Sequence, residues 1–284
     1  MLKPAFQTNE SLLAHIDRAT QTPHKLHIWW LGQSGFLLQH QGRHLLFDPY
    51  LSDSLTTKYA NTDKPHTRIS ERVIDPARLN MIDVVTSSHN HTDHLDADTL
   101  LPLLAANPGL QLVIPEANRS FVTSRLQGAS VPGQVAWPIG MNDGQTRPVG
   151  PFIVHGVPAA HNDLERDEQG QCRFMGFVVE LGPYTVYHSG DTLWYDGLVD
   201  TLKPFGVDVA FLPINGNKPE RRVAGNLNPD EAARLGKAIG ARLVIPHHYD
   251  LFAFNTADPN DFVQACHQHD TPHRVMQLGE GITV

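Results

Sequence analysis

A cluster of metal-ligand side chains directly follows an apolar run at residues 81–85. The cluster contains His89, His91, Asp93 and His94. Neutral imidazole nitrogens and carboxylate oxygens are ligands that zinc, manganese and iron accept. The alternate spacing of His89 and His91 lets both face one ion, while Asp93 and His94 turn toward a second. A histidine-rich surface loop is the alternative interpretation, and four ligand-type residues directly after a buried-looking strand disfavour it.

Further candidate ligands lie downstream, and each stands at the carboxyl end of a strand-like run. They are His161 after residues 152–157, Asp191 after residues 185–187, and the pair His247 and His248 after residues 243–245. Loops at strand ends bring residues together that are distant in the chain. The repeated placement therefore predicts one shared metal site rather than scattered histidines.

Alternating apolar patterns and turn residues predict a mixed α/β chain in which strands come first, then helices, then more strands. Helices are expected at residues 9–19, 96–106, 116–127 and 228–239, and strands at residues 26–31, 35–39, 44–47, 110–114, 134–137, 152–157, 176–181, 185–188 and 207–212. The long polar segment 50–80, with a short helical piece near 75–79, is expected to form a wall of the binding site. This order of elements is typical of a four-layer αββα sandwich.

The length and composition favour one soluble domain. We expect residues 1–284 to form a single domain with an N-terminal helical extension at residues 1–25. The N-terminus lacks the apolar core of a signal peptide, and no run approaches the roughly 18 apolar residues of a membrane span. A cytoplasmic protein without a membrane anchor is the default expectation. Cys172 and Cys266 are expected to be free thiols.

The net charge of −8, with histidine neutral, and the scattered basic residues argue against nucleic-acid binding. The metal site is expected to differ in sign from the whole chain. Two divalent ions against Asp93 and Asp191 would leave a formal surplus of about two positive charges there. We therefore expect a small anionic molecule as the substrate, while the composition leaves a homo-oligomer open.

The His-x-His-x-Asp-His element at residues 89–94 resembles the mark of the metallo-β-lactamase superfamily of metal-dependent hydrolases. The match extends from about residue 26 to the C-terminus. Within the superfamily the chain looks similar to the branch that contains the ascorbate-6-phosphate lactonase and related, mostly uncharacterised hydrolases. The segments that suggest this branch lie at residues 29–32, 82–85, 187–191, 241–246 and 257–259.

The resemblance implies a complete set of metal ligands in an αββα sandwich of the metallo-β-lactamase type. It assigns His89, His91 and His161 to a first metal, Asp93, His94 and His248 to a second, and Asp191 to both as a bridge. His248 is preferred to His247 because the branch pattern places a tyrosine after the ligand. Two divalent ions, manganese or zinc, are expected, and the ligands suit iron as well.

The resemblance also implies a binuclear hydrolase in which a metal-bridging hydroxide attacks a carbonyl carbon or a phosphorus atom. Asp191 would hold the metal pair together, and Asp93 would take up a proton. Asp48 is a candidate for orienting a ligand imidazole, or else a simple Asp-Pro turn. Loops around Asn215 and at residues 161–173 are expected to border the pocket, and Tyr249 either lines it or belongs to the core.

Three other functions stay open at this point. A phosphodiesterase acting on a phospholipid or a nucleotide uses the same type of site. A di-iron oxidoreductase does so too, although such proteins usually carry a flavin domain for which this chain is too short. A non-catalytic metal-binding protein is disfavoured by the apparently complete ligand set.

Overall fold

Two β-sheets form the centre of the protein, whose computed structural model describes residues 1–127 and 137–284. In chain order the described strands are β1 (His27–Gly32), β2 (Gly35–His40), β3 (Arg43–Phe47), β4 (Val84–Thr86), β5 (Gln111–Pro115), β6 (Ile139–Met141), β7 (Thr146–Val149), β8 (Phe152–Pro158), β9 (Met175–Leu181), β10 (Tyr184–His188), β11 (Val209–Pro213), β12 (Leu243–His247) and β13 (Gly281–Thr283). One sheet has the order β13-β1-β2-β3-β4-β5-β6, and the other has the order β12-β11-β10-β9-β8-β7.

The two sheets pack face to face through aromatic side chains. The ring of Phe36 on β2 lies 4.2 Å, centroid to centroid, from that of Phe211 on β11. The ring of Phe47 on β3 stacks on His188 of β10 at 4.8 Å. Every residue of β1 and β2 is buried, because one face meets the other sheet and the opposite face is covered by helix and loop.

Helices cover the outer faces of the sheets. They are α1 (Asn9–Ala19), α2 (Ser54–Lys58), α3 (Ala97–Ala106), α4 (Arg119–Arg125), α5 (Leu198–Leu202), α6 (Pro229–Ala238) and α7 (Pro259–His269). Helix α6 packs on β11, β12 and α7. Helix α1 approaches the other sheet, where the Gln39 side chain of β2 donates a hydrogen bond to the Ile16 carbonyl. The predicted αββα order is confirmed.

Local sequence chemistry sets several of the helix starts. The Asn228 side chain accepts a hydrogen bond from the Glu231 backbone N–H, and the Glu231 carboxylate accepts one from the Asn228 N–H. With Pro229 at the first position, this capping box fixes the start of α6 as the sequence predicted. Helix α1 spans the predicted residues, and Thr8 precedes it as the cap.

Other predicted boundaries differ from the structure. The helix expected at residues 116–127 is a 3₁₀ turn, Glu116–Asn118, followed by α4, and Gln127 lies beyond its end. The strand expected at residues 134–137 falls almost entirely outside the described residues, and the described strand that follows is β6. The predicted piece at 75–79 is a 3₁₀ turn, Pro76–Arg78, because the Asp75 side chain caps it at Ala77.

Within the described residues, no helix is both long enough and apolar enough to cross a membrane. Cys172 and Cys266 are both buried and unpaired, as predicted. Burial raises the pKa of the Cys172 thiol to about 11 and that of Cys266 to about 12, so both are protonated at neutral pH. They pack as small apolar side chains.

Candidate metal centre

The ligand-type residues found in the sequence leave four different strands at one end of the sandwich. His89 and its neighbours follow β4, His161 follows β8, Asp191 follows β10 and His248 follows β12. Strands β10, β11 and β12 are parallel, so their carboxyl ends meet at a single edge of the sheet. Because the two sheets face each other, the loop after β4 meets the loops after β10 and β12.

The side chains form two groups that match the two triads implied by the resemblance. One contains His89, His91 and His161, and the other contains Asp93, His94 and His248. In each group the ligand atoms lie within 4.8 Å of one another. A third group joins Asp191 to His89 and His94 at the same spacing.

Asp191 lies between the two triads. Its Oδ2 is 3.2 Å from His248 Nε2 and 3.6 Å from His161 Nε2. Its Oδ1 is 3.4 Å from His94 Nε2. One carboxylate thus reaches ligands of both triads, which is the position that a bridging ligand requires.

The structure places the side chains of His248 and its neighbour His247 in different environments. His247 is buried behind the site, where its Nδ1 contacts Ser34 Oγ at 3.1 Å and its ring stacks on His188 at 5.0 Å. It belongs to none of the three ligand groups among the described residues. His248 adopts a left-handed backbone, φ 63°, and its side chain lies among the acidic groups.

Several ligand atoms are buried without any hydrogen-bond partner in the described structure. They are His89 Nε2, His94 Nε2 and Asp191 Oδ1. Leaving a buried polar atom unpaired costs about 1–3 kcal/mol, so native proteins rarely do it without a reason. A divalent cation held by these residues would satisfy all three atoms, so the donor set fits a metal centre.

Hydrogen bonds from behind fix the ligand imidazoles. His94 Nδ1 lies 2.8 Å from the Asp48 carboxylate, and His161 Nδ1 lies 2.8 Å from the Gly225 carbonyl oxygen. Both partners only accept, so each Nδ1 carries the proton and each Nε2 lone pair is free for a metal. Asp48 is itself held by the Thr86 hydroxyl, which donates to Oδ1 at 2.6 Å. It orients His94 from the buried side, and its place in the Asp-Pro turn is compatible with that role.

The electrostatics of the site respond strongly to burial and to the carboxylates. Burial drives the pKa of His89 well below its usual value and lowers that of His161 to about 4. Burial would also lower the pKa of His94, but the Asp191 and Asp93 carboxylates outweigh it and hold that pKa well above the usual value. For Asp191 the cost of burial is outweighed by His248 and His94, and its pKa falls well below the usual value. Without a metal, a proton on His94 balances Asp191, and a bound cation takes over that role.

A cavity of about 570 Å³ opens above the ligands. As predicted, the segment 50–80 supplies one wall, through Leu55, Lys58, Tyr59, Lys64 and His66. Of the segment 161–173, only His161 lines the cavity. Asn215 lies one layer behind it, because its side chain donates to Asn255 and accepts from Asn226, which do line the cavity.

Tyr249 is not a pocket residue. Its ring stacks on Trp30 at a centroid distance of 4.4 Å, and its buried hydroxyl donates to the Met276 carbonyl at 2.7 Å. The backbone reverses at His248, which turns the histidine toward the metal ligands and the tyrosine into the core. The alternative that the sequence left open for Tyr249, a core aromatic, is the correct one.

Comparison with known proteins assigns the family. Residues 43–249 match the family model of the beta-lactamase superfamily domain, and this range contains every ligand-type residue of the site. The chain belongs to the beta-lactamase superfamily. A "UPF0173 metal-dependent hydrolase" of Rubrobacter xylanophilus is 30% identical over 241 residues, covering 83% of this chain and 86% of the relative. A protein of the same name from Methanosarcina mazei is 27% identical over 261 residues, covering 90% and 98%. The chain is thus a member of this metal-dependent hydrolase group.

Solved structures show the same superfamily fold. Igni18, described as a metallo hydrolase of the archaeon Ignicoccus hospitalis, superimposes with a TM-score of 0.66 at 21% identity. The match covers 92% of this chain and 98% of Igni18. The likeness to the ascorbate-6-phosphate lactonase branch stays a prediction.

Some residues that contact the metal ligands or line the cavity were not predicted from the sequence. Gln33, in the turn between β1 and β2, donates through Nε2 to Asp93 Oδ2 at 2.8 Å. The only signal was a polar pair, Gln33 and Ser34, between the apolar runs at residues 28–31 and 36–38. No sequence pattern indicated that His66 and Phe254 line the cavity, because only the fold brings these residues next to the site.

Proposed function

We propose that this protein is a binuclear metal-dependent hydrolase that cleaves a small anionic lactone or phosphoester. The observation that carries the proposal is the position of Asp191 between two ligand triads with unpaired, inward-facing atoms. Two independent metal sites with purely structural roles would not need to share a carboxylate. The cavity directly above the ligands gives a substrate access to both triads.

Two divalent ions at such a site supply a nucleophile at neutral pH and neutralise the charge that develops on the oxygen under attack. The protein's own residues supply positions and protons. Asp48 and the Gly225 carbonyl hold His94 and His161 with Nε2 toward the centre. Asp93 is partly exposed to the cavity and is steadied by Gln33 at Oδ2, which suits it to accept a proton while the scissile bond breaks.

The charges around the cavity support an anionic substrate. Lys58, Lys64, Arg125 and Arg222 line it, whereas the chain as a whole carries a net charge of −8. Apart from Asp93 and Asp191, which face the metal ligands, the lining contains no carboxylate among the described residues. A basic mouth on an acidic protein concentrates anions at the site.

The proposal is tested by metal content and hydrolysis together. Elemental analysis of the purified protein should give two divalent ions per chain. The manganese- or zinc-loaded protein should hydrolyse ascorbate 6-phosphate, or another anionic lactone or phosphoester, in a pH-indicator assay. Asp191→Asn should lose both metal and turnover. Asp163→Asn, at an exposed acid outside the cavity, is the matched control and should retain both.

The result also separates the other functions. Full occupancy without turnover of any lactone, phosphomonoester or phosphodiester would refute the hydrolase. Two iron ions with oxygen consumption would establish redox chemistry in its place. Asp191→Asn protein with normal metal content would refute the shared-carboxylate site.

A further inference from the structure

One wall of the cavity is built from aromatic rings. The His66 ring stacks on Tyr59 at a centroid distance of 4.2 Å and meets the edges of Phe254 at 4.6 Å and Phe252 at 5.3 Å. All four residues line the same cavity as the metal ligands. We call Tyr59, His66, Phe252 and Phe254 the aromatic wall.

The aromatic wall is a fixed surface. Behind it, Phe252 packs with Tyr50, Leu55 and Leu251 in a small apolar cluster separate from the main core. His66 Nδ1 lies 3.1 Å from the Lys64 carbonyl oxygen, which only accepts, so this nitrogen carries the proton and the ring orientation is set. Rings held in this way offer a flat apolar surface at little cost in conformational entropy.

Most cations around the cavity are already engaged by protein groups. Arg222 pairs with Asp63 at 2.8 Å, and the Lys64 ammonium donates to the carbonyls of Arg221 and Arg222. Arg125 donates to the carbonyl oxygens of Asn90 and Leu95, in the loop that carries the metal ligands. These contacts give the three side chains structural roles.

Lys58 differs from the other three. Its ammonium lies over the Tyr59 ring, 5.0 Å from the centroid, and among the described residues it has neither a hydrogen-bond acceptor nor a carboxylate within ion-pair distance. The remaining residues, 128–136, contain no acidic side chain in their sequence. Lys58 therefore presents a positive charge at the edge of the aromatic wall without an anion to balance it.

We infer that the aromatic wall and Lys58 form a substrate subsite for a planar ring bearing an acid group, with the labile bond of the same molecule at the metal ligands. The ring lies against the wall, and its carboxylate or phosphate pairs with Lys58. A cavity of about 570 Å³ holds a ligand of this size beside the metal centre. The inference rests on the proposed hydrolase for the reacting end of the molecule, but the subsite itself is a matter of binding.

Binding to the metal-loaded protein is measured by calorimetric titration with 2-naphthoate, which has both a ring and an acid group. Two further probes separate these features: 2-naphthamide has the ring without the charge, and acetate has the acid without the ring. We expect 2-naphthoate to bind more tightly than either. Lys58→Gln should weaken 2-naphthoate about tenfold, as expected for the loss of one charge-assisted contact. Phe254→Leu, which keeps an apolar side chain and removes the ring, should weaken the binding of 2-naphthoate and 2-naphthamide alike.

The matched control is Lys203→Gln, at an exposed lysine outside the cavity, which should bind all three probes like the unsubstituted protein. Equal affinity of Lys58→Gln and the unsubstituted protein for 2-naphthoate would overturn the inference, because the carboxylate would then be bound at the metals. Acetate binding as tightly as 2-naphthoate would overturn the role of the wall.

Hydrolysis separates failure of the subsite from failure of the proposed function. Dihydrocoumarin and its ring-carboxylated derivative offer the same lactone without and with an acid. Lys58→Gln should lower the ratio of kcat/KM for the acidic over the neutral lactone about tenfold, mainly through KM. Turnover with an unchanged ratio would refute the subsite and leave the hydrolase in place. Lysine-dependent binding of 2-naphthoate without any turnover would leave the subsite in place and count against the hydrolase.

Discussion

At the scale of single residues, the candidate metal ligands are held by partners behind them: the Asp48 carboxylate lies 2.8 Å from His94 Nδ1, and the Gln33 side chain donates to Asp93. His89, His91 and Asp93 stand in one short motif whose chemistry needs no three-dimensional context. Gln33 contacts Asp93 across a separation of 60 residues, and the sequence of a hairpin turn does not predict which distant residue it will contact. Asp48 was ambiguous in sequence, because an Asp-Pro turn and a partner for a histidine look identical until the fold places His94 beside it.

The Asp48–His94 contact predicts the effect of Asp48→Asn. The amide keeps the shape but loses the charge that favours a proton on His94 Nδ1, so Nε2 becomes a poorer ligand. Loss of such a partner typically costs 10–100-fold in metal affinity, and we expect about that decrease in competition titrations with a chromogenic chelator. Asp98→Asn, at an exposed acid of α3, should titrate like the unsubstituted protein. An unchanged affinity in Asp48→Asn would show that Asp48 has only a structural role.

At the scale of elements, strands with apolar runs were predictable and their exact ends were not. Residues 9–19 and 35–39 have a clear periodicity, and α1 and β2 follow it within one residue. The start of the helix predicted at 116–127 was wrong because its first three residues form a tighter 3₁₀ turn. The short helix α2 was missed because Ser54–Lys58 has neither length nor an apolar face, yet it carries Leu55 and Lys58 into the cavity wall.

Gly190, between β10 and Asp191, is a position at the metal centre where a side chain does not fit. Its φ is +59°, and a Cβ there would lie 2.6 Å from Ser88 Cβ and 2.8 Å from the Met175 carbonyl oxygen. Gly190→Ala should therefore both strain the backbone and push apart the loops that carry Asp191 and His89. We expect a loss of about 2–4 kcal/mol in the free energy of unfolding and a reduced metal content.

Gly197→Ala is the matched control for this substitution. Gly197 also has a positive φ, +91°, but no atom lies within 4 Å of the Cβ position. It should lose about 1 kcal/mol from backbone strain alone and keep its metal. Equal losses in the two variants, measured by urea unfolding and elemental analysis, would show that the contact with Ser88 is unimportant.

At the scale of the whole molecule, the metal ligands connect parts of the chain that are far apart in sequence. The sandwich order was predictable because alternating patterns limit how sheets and helices can layer. The position of the first 25 residues was not predictable, since their contacts are with distant segments, such as Phe6 N–H with the Leu278 carbonyl. His89, His94 and Asp191 each have a buried polar atom without a hydrogen-bond partner, which a bound cation would satisfy.

Metal binding should therefore contribute to global stability. A ligand that binds only the folded state stabilises it by RT ln(1 + [L]/Kd), about 4 kcal/mol at 1,000 times Kd. Treatment with a chelator should lower Tm by several degrees, and added manganese or zinc should restore it. Asp191→Asn protein should show a much smaller chelator-dependent shift in differential scanning calorimetry. The same shift in both proteins would place the stabilising ion elsewhere.

The pairing of β13 with β1 has a consequence for synthesis on the ribosome. His27 of β1 lies opposite Thr283 of β13, so the edge of the first sheet is completed by residues that are translated long after β1. Until then the nascent chain exposes one edge of β1, an apolar strand with two tryptophans, to other partially folded chains. A stalled or truncated product that lacks residues 281–283 would thus be prone to edge-to-edge association, even though every ligand-type residue of the metal centre has already been translated.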